Sequence, residues 1–123
     1  MPVSIIDLKS ATIGLYKDGG SDVHVANGPP RRIDGLSVGA PFMTRNPPHN
    51  GEMHPDGDEV LYLISGKVEV VLEMPDGVET LAIAPGQGCV IPKGVWHRVN
   101  LLETSQLFHV TPGPGGEHRP LEG

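Results

Sequence analysis

The stretch Glu59-Val60-Leu61-Tyr62-Leu63-Ile64-Ser65-Gly66-Lys67-Val68-Glu69-Val70-Val71-Leu72-Glu73 decides the fold. Residues 67–73 alternate polar and apolar side chains at period two, the pattern of a strand with one wet face. Residues 59–64 form a strongly apolar run, closed by Asp56-Gly57 in front and Gly66 behind. Beyond it, Pro75-Asp76-Gly77 and Pro85-Gly86 are turn signals with a short expected strand, 80–84, between them. Segments 89–92, 96–101 and 106–111 complete the expected strands on this side. Upstream, 3–8, 13–17, 21–27 and 36–43 alternate more weakly, and 3–8 also reads as a short helix or an arm. Gly19-Gly20, Gly28-Pro29-Pro30 and Asp34-Gly35 separate most of them. Strands recurring every 8–12 residues or so between turns indicate an all-β sandwich or barrel. A double-sheet jelly roll solves the edge problem for such a chain.

Composition points the same way. Seventeen glycines and thirteen prolines make 30 of 123 residues, about 24%, against roughly 12% on average. Both residues disfavour helices, so a helical bundle is excluded. The hydrophobic fraction of 37%, set in short alternating blocks, argues against low-complexity disorder. The length predicts a single domain, 1–123. Its core barrel should cover about 35–111, with N-terminal strands or an arm over 1–34 and an irregular tail over 112–123. Nine basic residues against fifteen acidic ones leave a formal charge of −6, which disfavours a nucleic-acid partner. No run approaches the roughly 18 apolar residues of a membrane span. The N-terminus shows no signal-peptide pattern, and the single Cys89 forms no internal disulfide. These features predict a soluble, cytoplasmic protein.

The polar residues with chemical potential sit in Glu52-Met53-His54-Pro55-Asp56-Gly57-Asp58-Glu59. In an extended segment Glu52 and His54 leave the same face. Pro55-Asp56-Gly57 can fold Glu59 back beside them. Glu59 shares its strand face with Leu61 and Leu63, and a carboxylate on such a face needs a partner. His97 follows the turn Pro92-Lys93-Gly94 and shares a face with Val95 and Val99. Two imidazoles and a carboxylate suit a divalent Zn, Mn, Fe or Ni ion, and Glu52 is a fourth candidate ligand.

On these residues the sequence resembles the cupin superfamily, in particular its small single-domain members. The first cupin motif runs Gly, five residues, His-x-His, three or four residues, Glu, six residues, Gly. His54, Glu59 and Gly66 fit it. The second runs Gly, five residues, Pro-x-Gly, two residues, His, three residues, Asn. Gly86, Pro92, Gly94 and His97 fit, and Asn100 falls one residue early. Glu52 stands where the motif has its first His, and Asn46 where it has its leading Gly. The resemblance implies a double-stranded β-helix, or jelly-roll barrel, with metal ligands at His54, Glu59 and His97. To Glu52 it carries over only a position. Two carboxylates and two imidazoles would make a hard site, better suited to Mn or Fe.

His49 competes for the missing imidazole but lies on the other face by strand parity, unless a bulge intervenes. His109, beside Leu107 and Val110, is a candidate catalytic acid or base as well as a candidate packed histidine. His24 and His118 are expected at the surface, and Cys89 as a small core residue. The resemblance allows a metal-dependent enzyme acting on a small organic molecule, of the dioxygenase, isomerase or cyclase type. The alternatives are a non-catalytic small-molecule or sugar-binding barrel, and a metal-free barrel with a hydrogen-bonded polar cluster. By analogy with small cupins, a homodimer through the N-terminal strands is expected.

Overall fold

A computed structural model of the chain describes residues 3–26 and 31–121. It contains ten strands and, among the described residues, no helix: β1 (Ala11–Tyr16), β2 (Ser21–Val25), β3 (Gly35–Gly39), β4 (Phe42–Met43), β5 (Glu52–Met53), β6 (Glu59–Met74), β7 (Gly77–Ile83), β8 (Gly88–Ile91), β9 (His97–Pro112) and β10 (Glu117–His118). Every pairing is antiparallel. The two 16-residue strands β6 and β9 pair along nearly their whole length, from Val60↔Val110 to Leu72↔His97. They run through both layers of the barrel. One layer has the order β8-β6-β9-β3-β1-β2 and the other β7-β6-β9-β5-β10. The short β4 pairs with β9 at Ser105 and Gln106.

The passage from one layer to the other falls at Gly66, where the β6–β9 register shifts three times between Leu63 and Val68. Gly66 has φ +91°, and a Cβ there would overlap Ser105 Oγ and the Thr104 carbonyl, so only glycine fits. Buried Ser105 pins the bend: its Oγ accepts from Lys67 N at 2.9 Å and donates to the Glu103 carbonyl at 2.9 Å. The inward faces of the two layers then meet in one core of Leu61, Leu63, Val68, Val70, Leu72, Ile83, Ile91, Val99 and Leu107. Each such side chain contributes about 1.5–3 kcal/mol through burial. That core closes one part of the barrel interior and leaves the other part polar.

Several expected boundaries move. The two runs 59–64 and 67–73 are one strand, because a bulge turns the chain without ending its pairing. Residues 96–101 and 106–111 likewise merge into β9. The expected strand 36–43 divides into β3 and β4. Residues 3–7 form neither strand nor helix but an extended arm, with Val3 and Ile5 fully exposed. The tail, expected to be irregular, comes back across the barrel. Its β10 pairs with β5, Arg119 exchanges backbone hydrogen bonds with Asn50 and Gly51, and its guanidinium lies 4.1 Å over the Trp96 ring. Asn27 and the Gly28-Pro29-Pro30 turn lie outside the described residues.

Candidate metal centre

Four side chains converge where the interior is not filled by the aliphatic core. Glu52 on β5 stands directly opposite His97 on β9 in one layer. Glu59 begins β6 in the other layer, opposite Ile91 on β8. His54 comes from the connection between β5 and β6. The turn before β9 ties these pieces together: Gly94 N donates to the His54 carbonyl at 2.9 Å, and Lys93 N donates to Asp58 Oδ1 at 2.9 Å. His54, Glu59 and His97 are buried, and Glu52 is partly exposed. One ligand atom from each residue lies within 4.8 Å of all the others.

The orientation of the rings is informative. His97 Nδ1 donates to the Val95 carbonyl at 3.0 Å, which leaves Nε2 facing Glu59 Oε1 at 2.9 Å and Glu52 Oε1 at 3.4 Å. His54 Nε2 lies 3.3 Å from Glu59 Oε2 and 3.7 Å from Glu52 Oε1. Both ring nitrogens of His54 are buried without a hydrogen-bond partner among the described residues. In a neutral Nδ1–H tautomer, Nε2 is an acceptor aimed at acceptors. Such a cluster requires a shared positive charge, either protons or a metal cation. Two imidazole nitrogens and two carboxylate oxygens aimed at one point fit a divalent ion.

Without a metal, protons fill the role. Burial alone would keep both imidazoles neutral, but the Glu52 and Glu59 carboxylates outweigh it. They raise His97 to about 10 and His54 to about 9. Burial likewise opposes ionisation of Glu52 and Glu59, and the two imidazoles hold both below the usual carboxylate range. Two cations balance two anions, the same balance a divalent ion between neutral imidazoles would meet.

The other histidines separate clearly. His49 lies outside the four: Gly51 N donates to its Nδ1 at 3.1 Å, and its Nε2 is 3.6 Å from the far oxygen of Glu52. His109 faces inward but reaches the cluster only through Thr111. Its Nδ1 is 2.8 Å from Thr111 Oγ1, and that hydroxyl donates to Glu59 Oε2 at 2.6 Å. Gly39 makes room for the ring, since a Cβ there would lie 2.7 Å from His109 Nε2. Burial pushes the His109 imidazole below its usual value. His24 and His118 are exposed, and Cys89 is half-buried against the core, its thiol raised by burial. Thr111 was missed in the sequence, although its place two residues after His109 puts both on one strand face.

A cavity of about 60 Å³ opens beside Glu52 and His54. Arg31, Arg32, Thr111 and the returning tail at Gly113, Gly116, Glu117 and His118 form the rest of its wall. Arg31 is held by Asp22, with hydrogen bonds of 2.8 and 3.3 Å, and Asp22 also accepts from the Tyr16 hydroxyl at 2.6 Å. Arg31 Nε is buried without a partner among the described residues.

An antiparallel jelly roll whose two layers share two long strands, with histidines and carboxylates converging inside it, is a barrel of the cupin type. The sequence profile of the cupin domain family matches residues 43–111, more than half of the chain, and the chain belongs to that family. No curated protein matches it in sequence. Among solved structures it is similar to oxalate decarboxylase from Bacillus subtilis, with a TM-score of 0.58 and 16% identity over 68% of this chain and 23% of that one. A cupin-2 domain containing protein from Shewanella frigidimarina gives 0.54 and 21% identity over 72% and 84%. HppE with Fe(II) gives 0.50 and 14% identity over 62% and 42%. The chain thus spans about a quarter of the oxalate decarboxylase it matches.

Proposed function

We propose that Glu52, His54, Glu59 and His97 hold one divalent metal ion and that the protein is a metal-dependent enzyme acting on a small organic molecule, of the dioxygenase, isomerase or cyclase type. The cavity beside Glu52 and His54 carries this reading, because it leaves the cluster open on one side. Catalytic metal sites keep an open position, whereas structural ones are closed. The donor set is hard, which favours Mn or Fe. Bacillus subtilis oxalate decarboxylase has Mn(II) centres, and HppE is described with Fe(II).

When bound, the ion would supply Lewis-acid polarisation of a substrate oxygen. The residues of the chain do the rest. His97 offers Nε2 because Val95 holds its Nδ1–H. Thr111 takes one lone pair of Glu59 Oε2 and fixes the plane of that carboxylate. A carboxylate has no proton to give, so Thr111 donates to it and accepts from His109 Nδ1–H. His109 is therefore a positioning residue in this reading, not the acid or base. Arg31, its charge met by Asp22 but its Nε without a partner among the described residues, and Arg32 line the cavity wall and offer donors to an acceptor group of a substrate there.

The test is metal analysis of protein purified without chelator, followed by oxygen uptake with a panel of diols and keto acids. An enzyme of the dioxygenase class consumes oxygen in proportion to bound metal. A metal with no exchangeable position would instead support the non-catalytic barrel.

A further inference from the structure

Among the described residues, the buried side-chain nitrogens and oxygens without a hydrogen-bond partner belong to His54, Arg31 and Ser37. His54 is part of the metal cluster. Arg31 Nε and Ser37 Oγ are not, and they meet on one face of the sheet formed by β2, β1, β3 and β9. Directly paired residues on adjacent strands share a face, and the register runs Asp22↔Gly14↔Ser37↔Thr111. Thr111 points inward to Glu59, so the row as a whole faces the barrel interior. Gly14 opens a space in this row for Arg31: a Cβ there would lie 2.8 Å from Arg31 Nη2 and 2.6 Å from Asp22 Oδ1. A glycine inside a strand often marks such a close approach. The Arg31 guanidinium therefore lies over Gly14, and fully buried Ser37 is the next residue of the row toward Thr111 and Glu59.

A guanidinium presents five N–H donors in one plane. Asp22 takes the far edge of Arg31, with Nη1 donating to Oδ2 at 3.3 Å and Nη2 to Oδ1 at 2.8 Å. The Tyr16 hydroxyl, donating to Asp22 Oδ2 at 2.6 Å, holds that carboxylate in place. The clamp fixes the guanidinium plane and spares its side edge, since Nε–H has no acceptor among the described residues and each Nη carries a second N–H. Nε–H and the N–H beside it make a second fork, the geometry that receives both oxygens of a carboxylate. Arg31 lines the same cavity as Glu52, His54 and Thr111, so it stands across the open side of the metal cluster, and Arg32 adds a second guanidinium to that wall. The cavity of about 60 Å³ is far smaller than the roughly 300–1,000 Å³ of pockets for drug-sized ligands, so only a short molecule fits. Arg31 and Ser37 lie outside residues 43–111, so the cupin profile does not account for either.

We propose, resting on the metal-dependent reading of the site, that the substrate is a short organic acid and that Arg31 sets this specificity by taking the carboxylate on its Nε edge. Lactate and its neutral amide, lactamide, test this as probes. They match in shape and hydroxyl, but only lactate presents two acceptor oxygens. Isothermal titration of Mn(II)-loaded wild type should show lactate bound at least about tenfold more tightly than lactamide. Arg31→Lys keeps a positive charge beside Asp22 but has no fork, and should erase that preference while Mn(II) bound per chain stays at the wild-type value. Circular dichroism checks that the variant folds, and the comparison of the two probes on wild type stands without it. Metal-free wild type should show the same preference at lower affinity. A wild type that takes up no metal therefore overturns the metal centre and leaves the carboxylate fork to be judged on the metal-free titration. Equal binding of the two probes by wild type, or no measurable binding of lactate, overturns the fork. A preference that survives Arg31→Lys overturns it equally.

Discussion

Glu59, Leu61 and Leu63 project from one face of β6, and all three are almost wholly buried, at 2%, 3% and 0% exposure. Their surroundings differ. The two leucines belong to the cluster with Val68, Val70, Ile91 and Leu107. Glu59 meets His97, His54 and Thr111 instead. The apolar region is held by shape and burial, which no solution condition short of unfolding removes. The polar region is held by charge balance and depends on what supplies the positive charge. The same strand thus builds a permanent core and, four residues away, a site whose stability is conditional.

Removing a polar partner has the largest expected effect. His97→Ala leaves Glu59 and Glu52 without the imidazole between them, and metal affinity should fall more than about a hundredfold, beyond the usual effect of losing an outer partner. Isothermal titration with Mn(II) measures this, and far-ultraviolet circular dichroism should stay close to wild type. The reciprocal change, Leu63→Ala, should cost about 2–5 kcal/mol in urea unfolding. Metal bound per folded chain should not change.

A smaller effect is expected one step out. Thr111→Val removes the hydrogen bond to Glu59 and should weaken metal binding about 10–100-fold. Thr111→Ser should restore it. A purely steric role would be rescued by valine, the closer match in shape, and not by serine.

The pH trend of metal-free protein tests the same charge balance without any substitution. His54 and His97 titrate higher folded than unfolded, near 9 and 10 instead of 6.5. Their contribution is therefore complete below about pH 6.5 and lost as the pH rises through 9 to 10. Glu52 and Glu59 titrate lower when folded, so theirs is present above their ordinary 4.5 and lost on further acidification. Melting temperature should peak between about pH 4.5 and 6.5 and decline toward 10. With metal the trend above pH 6.5 reverses, because metal competes with protons for the same nitrogens.

Much of this was legible in the chain. The period-two pattern of 67–73 and the turns at Asp56-Gly57, Pro75-Asp76-Gly77 and Pro85-Gly86 announced the all-β barrel. The spacing of His54, Glu59 and His97 announced residues that the fold brings within 4.8 Å, together with Glu52. What stayed hidden depends on contacts distant in sequence. A strand that continues through Gly66 looks like two strands, because the local signal of a bulge is the local signal of a turn. The tail 112–121 looks irregular by its glycines and prolines, yet Arg119 finds Trp96, and Asp56 accepts from Gly115 N. Thr111 reads as an ordinary strand residue until Glu59, 52 positions earlier, is brought beside it.

Metal binding by these four residues is read most directly from the metal content of wild type and of His97→Ala, each purified without chelator and then offered Mn, Fe, Ni and Zn at neutral pH. A metal centre at Glu52, His54, Glu59 and His97 predicts one ion per wild-type chain and little or none in the variant. A wild type that takes up none of the four, or a variant that retains its ion in full, would contradict it.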